Sequence, residues 1–186
     1  MKKYWSQFYS SDKVPTQPST FARFVKNYIK KNNLVVYCLG TGNGRDAYYL
    51  GKKWQVFGVD YATNPSEKYK AMFTKTSVED YIEKFDFSGD MIYARFFFHH
   101  TSDELFDKIL KWGKGLLAFE VRSKKDEELN HIFEHQRYYR TGKEMLDILD
   151  KNGYELMYFQ ESQGLAKFKN EDPWIIRVIA RKICQI

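Results

Sequence analysis

The chain has 186 residues, 43% of them hydrophobic, and a formal charge of +6 from 30 lysines and arginines set against 24 acids. That length suits one domain with a real core, no apolar stretch is long enough to cross a bilayer, and Met1-Lys-Lys-Tyr-Trp5 leads into polar residues rather than an apolar signal core. The two cysteines, Cys38 and Cys184, lack metal-type spacing, and Cys38 falls in an expected buried strand, so a reduced, cytoplasmic protein is expected.

Tyr4, Trp5, Phe8 and Tyr9 share one face at helical spacing and predict a short amphipathic helix. Val14 to Ser19, with Pro15 and Pro18, reads as a loop whose last residue can cap a helix. Phe21, Phe24, Val25, Tyr28 and Ile29 then form a helical stripe to about Lys31, and residues 1–31 are expected to be an N-terminal helical lid on a single domain. Strands are predicted at 34–39, 55–60, 71–74, 90–95 and 115–121, alternating with helices from about Gly44, over 78–85 and over 103–112. Asn64-Pro65 opens a loop or short helix, and a charged loop with His131 and His135 covers 123–137. A helix over 142–152 is ended by Gly153. Strands at 154–161 and 174–183 have no helix between them and should pair as an antiparallel hairpin. The alternation predicts a three-layer α/β/α, Rossmann-like architecture: a mostly parallel seven-stranded sheet closed by that hairpin.

The first strand runs into Leu39-Gly-Thr-Gly-Asn-Gly-Arg45, with glycines at 40, 42 and 44. The second ends in Asp60, twenty positions after Gly40. Glycines let the backbone turn sharply and approach a bulky ligand, and a carboxylate at the next strand end can accept hydrogen bonds from both hydroxyls of a ribose. Together they predict a pocket for an adenosine-containing cofactor. The dinucleotide fingerprint would need a glycine where Arg45 stands, and no Gly-Lys-Ser/Thr follows to make a phosphate loop. A tight strand–helix turn with no ligand is the bland alternative.

These residues resemble the first motif and ribose-binding acid of the class I S-adenosylmethionine-dependent methyltransferases, and the likeness spans nearly the whole chain. The resemblance implies that Gly40, Gly42 and Gly44 contact the cofactor backbone and that Asp60 binds its ribose. It also implies that Tyr61 covers the adenine, that Ser77 and Val78 lie at the adenine edge with Thr76, and that Asp46 touches the methionine part. Many members carry an acid two residues before the first glycine, where this chain has Cys38. The segments Tyr93-Ala-Arg-Phe-Phe-Phe-His99, Tyr4-Trp5 through Phe21-Ala22, and Glu171-Asp-Pro-Trp through Ile179 resemble a narrower group. Its members are small bacterial methyltransferases associated with surface-polysaccharide and phosphonate-type or phosphate-ester metabolism.

In such a fold the acceptor lies beside the methyl-bearing sulfur, past the fourth and fifth strands. Arg95, Arg122, Tyr138 and Arg140 are the expected acceptor contacts, and arginines match carboxylate or phosphate by bidentate hydrogen bonding. The expected acceptor is therefore an anionic small molecule such as a phosphorylated sugar or capsule precursor. Arg95 and His99 are the candidate catalytic residues, with His99 as base if a hydroxyl must be activated. Arg95 could instead pair with Glu120, His99 could pack on the phenylalanines beside it, and Arg122 could be solvated. His131 and His135 have helical spacing, but no third ligand supports a metal. The cations are scattered among the acids, which disfavours a nucleic-acid partner. An RNA acceptor and a non-catalytic binding protein on a degenerate methyltransferase fold are the alternative readings, and the oligomeric state stays open.

Overall fold

The computed structural model describes residues 2–9, 14–62, 72–127 and 137–183. Asn64, Pro65, His131, His135 and Cys184 lie outside them. Helix starts follow capping chemistry. Ser19 has extended backbone, and its hydroxyl accepts the Ala22 N–H at 3.0 Å, opening α2 (Thr20–Tyr28) after the short α1 (Lys2–Tyr9). Ser77 and Ser102 cap α4 (Val78–Lys84) and α5 (Asp103–Trp112) in the same way. Thr141 and Glu144 form a reciprocal capping box at α6 (Gly142–Lys151). Gly153, at φ +67°, ends that helix as the sequence predicts. α2 stops short of the expected Lys31, because Ile29 already has extended backbone.

The strands are β1 (Val35–Leu39), β2 (Gln55–Asp60), β3 (Phe73–Lys75), β4 (Met91–Arg95), β5 (Leu116–Arg122), β6 (Tyr154–Ser162) and β7 (Ile175–Lys182), with α3 (Arg45–Leu50) after β1. They form one sheet in the order β3-β2-β1-β4-β5-β7-β6. β1 to β5 pair in parallel, and β7 lies antiparallel to both β5 and β6. This is the expected seven-stranded sheet and closing hairpin.

Strand alternation sends neighbouring residues to opposite faces. Val36, Cys38 and Tyr93 pack with Phe21 and Val25 of α2 and Leu50 of α3. Tyr37, Leu39 and Ile92 pack on the other face with Tyr81 of α4, Phe106, Ile109 and Leu110 of α5, and Met145 of α6. Of the segment read as a helical lid, α2 is thus a core layer. Burying each of its large apolar side chains contributes on the order of 1.5–3 kcal/mol. The chain leaves β1 toward β2 and β3 on one side, while β4 and β5 lie on the other. That reversal opens a crevice beyond the carboxyl ends of β1 and β4. No helix among the described residues is long and apolar enough to cross a membrane.

Candidate functional site

The turn after β1 puts Gly40, Gly42 and Gly44 at φ +65°, +60° and +81°, a region that side-chain-bearing residues rarely adopt. The amide of Gly40 donates to the Val59 carbonyl at 2.9 Å, which fastens the turn to β2. Asp60, at the end of β2, accepts from the amides of Gly42 at 2.9 Å and Ala62 at 2.8 Å. A carboxylate offers about four lone-pair sites. Two are used here, and the others remain for a ligand, since Asp60 lines the crevice. Gly40, Tyr61, Ser77 and Val78 line it too, whereas Gly42 and Gly44 shape it from behind. A Cβ on Gly42 would stand 2.3 Å from the Tyr9 hydroxyl, and one on Gly40 would stand 2.6 Å from the Phe97 ring.

Asp46 is buried and lines the same cavity, but its carboxylate is occupied. It accepts from the Ser19 amide and hydroxyl, both at 2.7 Å, and from the Tyr93 hydroxyl at 2.8 Å. Asp46 thereby ties the start of α2 to β4, and little capacity is left for the methionine contact expected of it. Arg45 also lines the cavity; its guanidinium donates to the Gln17 carbonyl at 3.0 Å. Burial pushes the Cys38 thiol up to about 12, so it is neutral and does not supply the charge of the acid it replaces.

Beyond β4 and β5 the site is built from side chains. Arg95, Glu120 and Arg177 are register neighbours across β4, β5 and β7. The fully buried Glu120 accepts from Arg95 Nε at 2.9 Å and Arg177 Nε at 2.6 Å. Burial opposes the charge on Arg95, but Glu120 and then Asp46 outweigh it and raise its pKa. The two terminal nitrogens of Arg95 have no hydrogen-bond partner among the described residues, and Arg95 faces the cavity. The pairing of Arg95 with Glu120 is therefore real, and it leaves the fork of the guanidinium available. Phe96 follows at φ +52° with its amide on the Glu120 carbonyl at 2.8 Å, and the Arg95 guanidinium lies 4.1 Å from the centre of its ring. A bulky residue in the left-handed region costs on the order of 1–3 kcal/mol and marks places where neighbouring structure dictates the backbone.

The expectation that His99 acts as a base meets an obstacle. Its Nδ1 accepts the backbone N–H of Arg122 at 3.3 Å, so a neutral His99 carries its proton on Nε2 and has no ring lone pair left to act as a base. Arg122 lines the cavity but is committed to Asp126 at 2.6 Å and to Glu171. Arg140 is not brought to the cavity wall. It donates to Asp103 and, at 3.0 and 3.1 Å, to the carbonyls of Phe98 and Thr101, stapling the loop before α5. Tyr138 is 39% exposed and also stands away from that wall; its amide binds the His99 carbonyl.

α1 spans the opening. Ser6 donates to the Ala62 carbonyl at 2.8 Å beside β2, and the Trp5 ring meets His100, after β4, with centroids 5.2 Å apart. Tyr4, Trp5, Phe8 and Tyr9 all line the enclosed volume, as do Lys167, Phe168 and Glu171 from the loop before β7. That volume is about 590 Å³, the scale of a small-molecule site. The aromatic face of α1 was legible as an amphipathic helix. The contributions of Phe96 and the 166–171 loop had no local signal.

No known family profile matches the sequence, and no curated protein does. Solved structures match in shape. The 1,6-didemethyltoxoflavin-N1-methyltransferase of Burkholderia thailandensis, solved with 1,6-didemethyltoxoflavin and S-adenosylhomocysteine, is 19% identical at a TM-score of 0.68, over 96% of this chain and 87% of that one. A SAM-dependent methyltransferase from Aquifex aeolicus is 18% identical at 0.66, over 98% and 99%. The magnesium protoporphyrin IX methyltransferase of Synechocystis PCC 6803, solved with SAM, is 13% identical at 0.64, over 87% and 78%. The chain therefore has the Rossmann-like fold of these methyltransferases.

Proposed function

We propose that this protein transfers a methyl group from S-adenosylmethionine to an anionic small molecule. The observation that carries this reading is the joined turn and acid. Three glycines at positive φ are fastened to β2 beside a carboxylate that holds the turn and keeps capacity for two hydroxyls. Gly40, Asp60, Tyr61, Ser77 and Val78 would hold the adenosine part, and Arg45, which lines the same cavity, would meet the methionine carboxylate. The cofactor supplies an electrophilic methyl on a sulfonium. The residues of this chain position the acceptor, enclose it under α1 and keep water away, the main catalytic effect available in an in-line displacement.

Arg95 would bind the acceptor's anion with the part of its guanidinium that Glu120 leaves available. His99 would act as a hydrogen-bond donor. A phosphorylated sugar or capsule precursor is one bearer of such an anion. The acceptor is proposed by its charge. Calorimetric titration with S-adenosylmethionine, S-adenosylhomocysteine and NAD tests the reading. Binding of the first two and not NAD is expected; binding of NAD alone, or of none, overturns it.

A further inference from the structure

We infer that the acceptor is a planar conjugated anion, an aromatic or heteroaromatic ring bearing an ionised oxygen or ring nitrogen; this rests on the methyltransferase reading above. The cavity is walled by rings from three separate parts of the chain: Trp5 and Phe8 of α1, Phe96 and Phe97 after β4, and Phe168 before β7. Phe96 and Phe97 are only half-buried, so their rings present surface to the cavity. Phe96 is held there at φ +52°, against its own backbone preference, with the Arg95 guanidinium stacked 4.1 Å from its ring centre. A flat ligand packed against these rings can meet the guanidinium edge-on, with its negative edge on the terminal nitrogens of Arg95.

Several of the polar groups that line the cavity are engaged with one another: Arg122 with Glu171, and the Thr101 hydroxyl with the Phe98 carbonyl at 2.9 Å, which leaves fewer partners for the hydroxyls of a sugar ring. The geometry also argues for an acceptor that arrives ionised. The Nδ1 lone pair of His99 is taken by the Arg122 amide, and the lining carboxylate Glu171 is held by Arg122. In the transfer, a lone pair of the conjugated anion forms the new bond to the methyl carbon. The carbon–sulfur bond breaks with its electron pair staying on sulfur. An anion and a sulfonium become a neutral methylated ring and a thioether, and no proton has to leave.

The test is calorimetry on protein saturated with S-adenosylhomocysteine, with three probes: 2-naphthoate, cyclohexanecarboxylate and glucose 6-phosphate. The expected result is 2-naphthoate binding at least about tenfold tighter than either of the others. Phe96→Gly should erase that preference while leaving S-adenosylhomocysteine affinity and the melting temperature in place, because glycine accepts the positive φ. Arg95→Gln should weaken 2-naphthoate about tenfold. Glucose 6-phosphate or cyclohexanecarboxylate binding as tightly as 2-naphthoate, or no probe binding at all, overturns this inference while bound S-adenosylhomocysteine leaves the broader reading intact. Failure to bind S-adenosylhomocysteine overturns both.

Discussion

The two halves of the cavity are built in different ways. At the ends of β1 and β2, three glycines and one acid do the work: main-chain amides point at Asp60, and the shape is set by backbone conformation. Beyond β4 and β5, arginines, carboxylates and rings from α1, β4, β5, β7 and the 166–171 loop support one another. The first half should therefore be intolerant of any added side chain at the turn. The second should respond to changes of charge and ring, and the two should fail separately.

Within the glycine turn the largest effect is expected from Gly42→Ala. The new methyl meets the Tyr9 hydroxyl at 2.3 Å and sits at φ +60°, where a Cβ costs roughly 1–2 kcal/mol before any clash. S-adenosylhomocysteine affinity should drop by about a hundredfold or more, read by calorimetry. An unchanged affinity would show that the turn does not shape the cofactor site. Arg95→Gln is the matching break in the other half. Glu120 keeps Arg177, the fold survives, and the acceptor KM should rise about tenfold or more, from roughly 1.5–3 kcal/mol of lost charge-assisted hydrogen bonding. Cofactor affinity should stay put. A matching loss of cofactor affinity would erase the division between the halves.

Arg140→Ala separates architecture from chemistry. It removes the staple on Asp103, Phe98 and Thr101 and should cost about 2 kcal/mol of stability in a denaturant titration, with cofactor affinity unchanged. The smallest effect belongs to Cys38. Burial raises its thiol from an ordinary 9.0 to about 12, so the native state favours the protonated form. That contribution to stability is whole below about 9 and is lost as pH climbs toward 12. Folded protein at pH 8 should leave Cys38 unalkylated by iodoacetamide, as read by peptide mass, whereas urea should expose it. Rapid modification of the folded state would contradict its burial.

Much of the fold was legible because its signals are local. Apolar runs, the cap at Ser19, and Gly153 after α6 each act within a few residues. The turn and Asp60 belong to one strand–helix–strand unit and carry their own chemistry, so the sequence announced them together. The other half depends on register. The Arg95–Glu120 pair was one of two readings open for Arg95, and Arg177 joins it because β5 and β7 align those positions, which nothing local to Arg177 says. Phe96 takes a positive φ without a glycine to mark it. Arg140 looked like part of a cationic rim, but the loop carries it to Asp103 and two carbonyls. Asp46 is tied to Ser19 and Tyr93, two contacts that no local pattern announces.

The most direct measurement is the affinity of S-adenosylhomocysteine for the wild-type protein and for Asp60→Ala, by calorimetry. If Asp60 carries the ribose, wild type binds and the variant loses about a hundredfold to ten-thousandfold, from two hydrogen bonds to a charged acceptor at roughly 1.5–3 kcal/mol each. Equal affinity in the two proteins would contradict the account.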